Sequence, residues 1–200
     1  MHFTSNSEYW SKRYNRQDHP WDLHRPSRPI IEYFTQLKNR DSKILIPGAG
    51  PGHEVGYLYE QGFKQVHYMD FSDSACSLFK ATYPNFPADQ ILSDDFFNHG
   101  GKYDFIVEQT FFCALEPSRK MRKKYADSVY QLLKNGGKLI GLWWSFPLDP
   151  PPSNPPYGGS KEEYLGLFEE KLTTQIFDTC YNSAEERAGK EWFGVFSKKS

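Results

Sequence analysis

The sequence has little cysteine, no surplus of either charge and no long apolar run, and each shortage removes a class of protein. Three cysteines, Cys76, Cys113 and Cys180, are scattered over 200 residues. An odd count at wide spacing fits neither a disulfide framework nor a zinc ribbon, and it points to a reducing compartment. The formal net charge is -1, from 24 Lys and Arg against 25 Asp and Glu. A domain that holds a phosphate polymer carries a basic excess, so no nucleic-acid partner is expected. No apolar stretch approaches the ~20 residues that span a bilayer. The polar start, residues 1–9, has no apolar run behind a basic end and so no visible secretory signal. A cytoplasmic protein with no membrane partner is the expectation; oligomeric state is unreadable, with a monomer as default.

What the chain does have is aromatic residues: 16 Phe, 13 Tyr and 5 Trp. These are enough to fill a core and to wall a pocket. The length suits one domain, residues 1–200. There is no repeat and no low-complexity tract. The one biased segment, residues 146–160, is rich in Pro and Gly. It reads as a rigid loop, because the remainder of the chain is too short to fold alone.

Strand and helix patterns alternate. Short apolar runs predict strands at Lys43–Pro47, Gln65–Asp70, Gln90–Leu92, Tyr103–Glu108 and Lys138–Ser145. Between them, helices are predicted over Gly52–Gln61, Ser72–Thr82 with Ser72 or Asp73 as N-cap, and Ser118–Leu133 closed by Asn135-Gly136-Gly137. A helix near Tyr164–Glu170 and a strand pair, Leu172–Tyr181 with Lys190–Lys198, complete the chain. This is an α/β pattern: a mostly parallel, seven-stranded sheet with helices on both faces and antiparallel additions at the end. Ligands of such sheets bind outside the carboxyl ends of the strands.

The densest chemistry is ILIPGAGPGHE, residues 44–54. A buried strand runs into Gly48, Gly50 and Gly52, and then a helix begins. Glycine lets a ligand approach the backbone closely, and a helix N-terminus offers free N–H groups. About twenty residues on, the second strand ends in Asp70, whose carboxylate can accept from ribose hydroxyls. Together these describe a nucleoside site. The spacing is G-x-G-x-G rather than the dinucleotide G-x-G-x-x-G, which favours S-adenosylmethionine over a pyrophosphate cofactor. After the third strand, Asp94-Asp95-Phe96-Phe97 offers an acid for an adenine amino group and a ring to cover the base. Trp10 and Trp21 are spaced unlike a surface helix, and aromatic faces attract a sulfonium cation; their plainer role is to pin the N-terminal segment to the core.

The chain resembles the thiopurine S-methyltransferase family, on the branch with the plant halide and thiol methyltransferases. The resemblance rests on YWSKRYNRQDHPWDLHRPS (9–27), LIPGAGPGHE, YMDFSDSA, DDFF, YDFIVEQTFFCALEPSRK (103–120), PPYGG (155–159) and ERAGKEWFGVF (186–196). It implies a Rossmann-like methyltransferase fold with an N-terminal lid over residues 1–30. It also implies a cofactor site of Trp10, Trp21, Gly48, Ala49, Gly50, Asp70, Phe71, Asp95, Phe96 and Glu108. Thr110, Phe111, Phe112 and Tyr157 are implied beside the methyl acceptor, with Tyr157 and Glu108 as the groups closest to catalysis. The GAGPG loop is less bulky than is common in the family and gives no help with substrate.

Other motifs carry less. Asn154-Pro155-Pro156-Tyr157 spells an amino-methylation tetrapeptide, but that motif belongs after the fourth strand and here it stands after the fifth. The six histidines are scattered, and His53-Glu54 lacks the second histidine of a zinc motif, so no metal is expected. The basic run Arg119–Lys124 reads as a solvated helix face. Methyl transfer from a sulfonium asks the protein mainly to align and dehydrate a nucleophile. A dry aromatic pocket suits a soft acceptor: a thiol, bisulfide, thiocyanate or halide. An aromatic thiol remains the alternative acceptor, and amino or oxygen acceptors, a reductase or an inactive cofactor-binding module are the remaining readings.

Overall fold

The structure is a computed structural model that describes residue 4, residues 6–148 and residues 152–199. The middle of the Pro-rich segment (149–151), His2 and most of the first five residues lie outside the described residues. Two helices, α1 (Ser7–Asn15) and α2 (Arg28–Thr35), precede the sheet. Next come β1 (Lys43–Pro47), α3 (His53–Glu60), β2 (Gln65–Asp70), α4 (Asp73–Thr82), β3 (Ile91–Ser93) and β4 (Tyr103–Gln109). The chain ends with α5 (Arg119–Leu132), β5 (Leu133–Trp144), α6 (Lys161–Phe168), β6 (Leu172–Thr179) and β7 (Glu191–Lys198).

The seven strands form one sheet in the order β3-β2-β1-β4-β5-β7-β6. Strands β1 to β5 are paired in parallel, and β7 runs antiparallel between β5 and β6. The order reverses beside β1, so β1 and β4 diverge at their carboxyl ends and leave a crevice there. Alternate strand residues face opposite layers. Leu45, Ile106 and Leu139 pack with Tyr125, Val129, Phe168 and Phe196 on one face. Their neighbours Ile44, Val107 and Ile140 pack with Ile30, Phe34, Val55 and Phe79 on the other.

Most of the predicted elements stand where the pattern placed them. Ser72 caps α4, its hydroxyl accepting from the Ala75 N–H. Three features differ. Helix α2 was not read from the sequence, although Pro29 in its first turn and the apolar Ile30, Ile31 and Phe34 mark it. The pair Gly136-Gly137 does not close α5: the helix stops at Leu132, and β5 already begins at Leu133 opposite Tyr103. Register then jumps so that Phe105 faces Lys138, with Gly136 at φ +73° in the bulge between. The glycines serve a β-bulge, which needs the same left-handed backbone as a helix cap. Third, Arg122 of the basic run is half-buried while Arg119, Lys120, Lys123 and Lys124 are exposed: its Nη2 donates to the Gly158 carbonyl at 2.6 Å and its guanidinium lies 5.1 Å over the Phe112 ring. Among the described residues, no helix is long and apolar enough to cross a membrane.

The β4–β5 contact that backs the crevice has no spare room. A Cβ at Gly141 would lie 2.4 Å from Glu108 Cβ and 2.5 Å from Glu108 O. Gly141→Ala is therefore expected to destabilise the fold by about 1–3 kcal/mol through overpacking. Urea unfolding measures this, and an unchanged midpoint would show that the two strands part freely.

Candidate active site

The carboxyl ends of β1, β2 and β4 build the site. After Pro47 the chain turns through Gly48, Gly50 and Gly52 with φ of +58°, +53° and +75°. These are left-handed conformations that residues with a Cβ rarely adopt. All three also face close neighbours, and a Cβ on Gly52 would lie 2.2 Å from the Phe79 ring. A Cβ on Gly48 would lie 2.5 Å from Phe111 Cδ2, and one on Gly50 would lie 2.4 Å from the Tyr14 hydroxyl. The loop is held from beneath. Gly50 N donates to Asp70 Oδ2 at 3.0 Å, the Tyr68 hydroxyl donates to Gly50 O at 2.8 Å, and Ala49 N donates to Met69 O at 3.0 Å. Asp70 is nearly buried and also accepts from Ser72 N at 2.8 Å. Burial pushes its carboxyl up to about 6, against the pull of those backbone N–H donors. A carboxylate has about four acceptor positions, so two remain for the ribose hydroxyls expected here.

At the end of β4 three consecutive residues do different things. Glu108 is fully buried and is turned away from the crevice. Its Oε1 accepts from Phe111 N at 2.9 Å and Phe112 N at 2.8 Å, and its Oε2 accepts from the Tyr125 hydroxyl at 2.8 Å. The expectation of a carboxylate beside the methyl group is thus corrected. Glu108 folds the turn that carries Phe111 and Phe112, and it acts on the site through them. Gln109 lines the crevice, and its Oε1 is buried with no hydrogen-bond partner. Such an acceptor is costly unless a donor arrives. Thr110 holds φ +61°. This is sparsely populated for a β-branched residue, and strain of this kind gathers at functional sites.

The N-terminal segment roofs the crevice. Tyr14, Trp21 and Asp22 close over Gly48, Gly50, Gln109, Thr110 and Arg187. The cavity left is about 40 Å³, room for a water molecule and not for a nucleoside. The roof has its own packing: Trp21 meets Trp10 edge-on at 5.4 Å, and Arg13 lies 4.6 Å over the Trp21 ring. Ser11 Oγ and Ser72 Oγ, 2.9 Å apart, join α1 to the start of α4. Arg187 was missed in the sequence. It is nearly buried, donates to the Trp21 carbonyl at 2.6 Å, pairs with Glu191 at 3.3 Å and lies 5.3 Å from the Trp144 ring. Its only sequence signal is a basic residue in the ERAGKEWF segment, and nothing local says that it is buried.

The remaining expected residues are less tightly gathered. Ala49 and Phe71 flank the glycine loop and Asp70, both half-buried. Trp10 stands behind Trp21, with its indole N–H on the Thr4 carbonyl. Asp95 closes its own turn, accepting from Phe97 N and from Asn98 Nδ2, and Phe96 is buried among Phe97, Phe111 and Tyr125. Phe96 therefore reaches the crevice only through Phe111. Phe112 is in the core. Tyr157 is buried, and its N–H donates to the Cys113 carbonyl at 2.8 Å. The loop after β5 thus docks on the turn after β4, which brings Tyr157 to the carboxyl end of that strand. Burial and the neighbouring Tyr9 push the Tyr157 hydroxyl above its usual range. Asn154 is exposed and bonded to Ser153 Oγ, which gives an amino group nothing to enter.

The residues fit S-adenosylmethionine on three structural points: a loop without Cβ atoms, a buried carboxylate with spare acceptor positions, and an orphan acceptor at Gln109. Comparison with known proteins agrees. A family model described as Thiopurine S-methyltransferase (TPMT) matches residues 5–199. "Probable thiol methyltransferase 2" of Arabidopsis thaliana is 35% identical over 161 residues, covering 78% of this chain and 69% of that protein. "Thiocyanate methyltransferase 1" of the same plant is 31% identical over 210 residues, covering 99% and 88%. Among solved structures, the N-methyltransferase NodS of Bradyrhizobium japonicum, in complex with S-adenosylhomocysteine, superposes with a TM-score of 0.71 at 19% identity, covering 98% of this chain and 100% of that one. At that identity the likeness is one of fold.

The buried carboxylates make stability depend on pH. Glu108 is pushed up to about 7 by burial, against the Phe111, Phe112 and Tyr125 donors, and Asp70 to about 6. The folded state then holds more protons than the unfolded chain between the ordinary carboxylate range and those values, so stability falls as pH rises through them. Glu108→Gln keeps Oε1 for the two N–H groups and offers its amide to the Tyr125 oxygen. The urea midpoint of the wild type should fall between about pH 5 and pH 8, and that of Glu108→Gln should fall less. Parallel pH profiles for the two proteins would contradict the assignment.

Proposed function

The chain belongs to the thiopurine S-methyltransferase family, and we propose that it transfers the methyl group of S-adenosylmethionine to a small soft nucleophile: a thiol, bisulfide, thiocyanate or halide. The donor supplies a methyl group already activated by its sulfonium sulfur, so the protein needs no strong acid at the leaving group. Its own tasks are to bind, orient and exclude water.

Each task has residues suited to it. Asp70 takes the ribose, the turn through Gly48 and Gly50 lets the methionine portion approach where no Cβ intervenes, and Gln109 Oε1 accepts from its amino group. Residues 1–30 form the lid, with Tyr14 and Trp21 lifting to admit the cofactor and then closing on it. Phe111, Thr110 and Tyr157 border the acceptor, with Phe112 and Phe96 supporting them. The Tyr157 hydroxyl stays protonated at neutral pH, because its pKa is raised. It therefore donates a hydrogen bond to an anionic acceptor and does not serve as its base.

The observation that carries the acceptor class is Arg187. A nearly buried guanidinium that donates to the Trp21 carbonyl, lies against the Trp144 ring and is paired with Glu191 sets N–H donors, with its charge balanced, in an aromatic-walled site. A soft anion sheds its water at lower cost than a hard one on entering such a site. Glu54 accepts from Ser27 N and His53 is hydrogen-bonded to Asp22, and the proposed acceptors call on neither as a base. Bisulfide, thiocyanate and halides need none.

The purified protein should form methylated product and S-adenosylhomocysteine from iodide, bisulfide or thiocyanate, the volatile products being read from headspace gas. Product from an aromatic thiol alone would contradict the small-anion reading. Tyr157→Phe should lower kcat roughly 10- to 100-fold, the worth of a hydrogen bond to a charged group, with cofactor affinity unchanged. A matching loss of cofactor affinity would place Tyr157 in the wrong half of the site.

A further inference from the structure

The groove beside the roof holds a cluster that includes the roof residue Asp22 and to which the methyl-transfer reading gives no chemical role. We propose that Asp22, His24 and His53 form a site for one divalent transition-metal ion of the Zn²⁺ class, which ties the N-terminal segment to the first residue of α3.

The Asp22 side chain is only 4% exposed, yet it faces three histidines. His53 Nε2 lies 2.8 Å from Oδ1, His24 Nδ1 lies 3.3 Å from Oδ2, and His19 Nδ1 lies 3.6 Å from Oδ2. One ligand atom from each of Asp22, His24 and His53 falls within 4.8 Å of the other two. In a tetrahedral zinc site, bonds of about 2.0–2.2 Å set ligand atoms roughly 3.4 Å apart. An ion therefore fits after the Asp22–His53 contact opens slightly and the two rings draw together. The donor set is two imidazoles and one carboxylate, a set that zinc takes with its fourth position left to water.

The backbone holds this arrangement. His24 sits at φ +54°, and its N–H donates to Asp22 Oδ1 at 2.7 Å. That left-handed turn sets the ring over the carboxylate, a conformation costly for a residue with a Cβ. The His24 side chain is 78% exposed and opens onto a groove with Tyr14, His19, Pro51 and Leu78, so an ion has an entry path. No local zinc spacing marks the site, because His24 and His53 are far apart in sequence. They meet only when the N-terminal segment lies on α3.

Asp22 directly succeeds Trp21, and Tyr14 lines both the groove and the cofactor cavity. A bound ion therefore holds the roof down and slows cofactor exchange, a consequence that rests on the proposed cofactor site although the metal site itself does not.

The test is a Co²⁺ titration of the tag-free full chain, monitored by visible ligand-field bands, with Zn²⁺ affinity from competition with a chromophoric chelator. The variants are His24→Asn, which tolerates the left-handed backbone, and His53→Gln, with urea midpoints confirming that both fold. One Co²⁺ per chain with tetrahedral bands is expected, with Zn²⁺ affinity lowered about tenfold or more in each variant. Absent bands, or equal affinity in wild type and both variants, would overturn the site and leave adventitious binding only. S-adenosylhomocysteine dissociation, by stopped flow, should slow with Zn²⁺ in the wild type and not in His24→Asn. Specific metal binding with unchanged dissociation would refute the clamp. Failure of metal-free protein to bind S-adenosylhomocysteine would refute the cofactor site without touching the metal site.

Discussion

The hydrogen bond from Gly50 N to the Asp70 carboxylate joins the end of β1 to the end of β2, and the geometry of the site depends on it. Parallel pairing of β1 with β2 carries both chains to the same edge, where the glycine loop must turn without a Cβ. Asp70 then fixes the loop, and the Tyr68 hydroxyl and the Phe79 ring support it from below. The carboxylate is ionised at neutral pH in spite of its burial because backbone N–H groups oppose the desolvation cost. The same group is therefore a brace for the loop and an acceptor kept in place for a ligand.

A second buried carboxylate repeats the device one strand over. Glu108 gathers two backbone N–H groups and the Tyr125 hydroxyl, which folds the turn after β4 and aims Phe111 at Gly48. The loop bearing Tyr157 docks on that turn through Cys113. Arg187 reaches in from the chain's last turn before β7 to the Trp21 carbonyl. The turn after β4, the loop after β5 and the roof are thereby linked by a few buried polar contacts. Chemistry that requires a dry site depends on such contacts being satisfied.

Much of this was legible in the sequence. Glycine spacing, Asp70 about twenty residues on and strand–helix alternation sufficed for the sheet and for bringing the glycine loop and Asp70 to one edge of it, because these signals are local and tied to backbone geometry. Side-chain direction was not legible. Glu108 ends a strand at the correct edge, but which way its carboxylate points depends on Tyr125 and on the turn after β4. Phe96 is likewise buried by Tyr125, a contact that no local pattern encodes. Gly136-Gly137 looked like a helix cap because a bulge and a cap ask the same of the backbone. Arg187 and the Asp22–His53 pair depend on contacts between distant segments, which pattern reading does not supply. The resemblance to the methyltransferase family led to the expectation of a lid, whereas the packing of Tyr14 on Gly50 came only from the structure.

We propose Asp70 as the ribose acceptor of an S-adenosylmethionine site. Calorimetric titration of S-adenosylhomocysteine into the wild type and into Asp70→Asn tests it most directly. The amide oxygen can still accept from one backbone N–H, so the loop keeps a brace while the charged acceptor is lost. A single site is expected in the wild type and affinity weaker by about tenfold or more in the variant, with both proteins folded by circular dichroism. Equal affinity in the two would contradict it and move the nucleoside elsewhere.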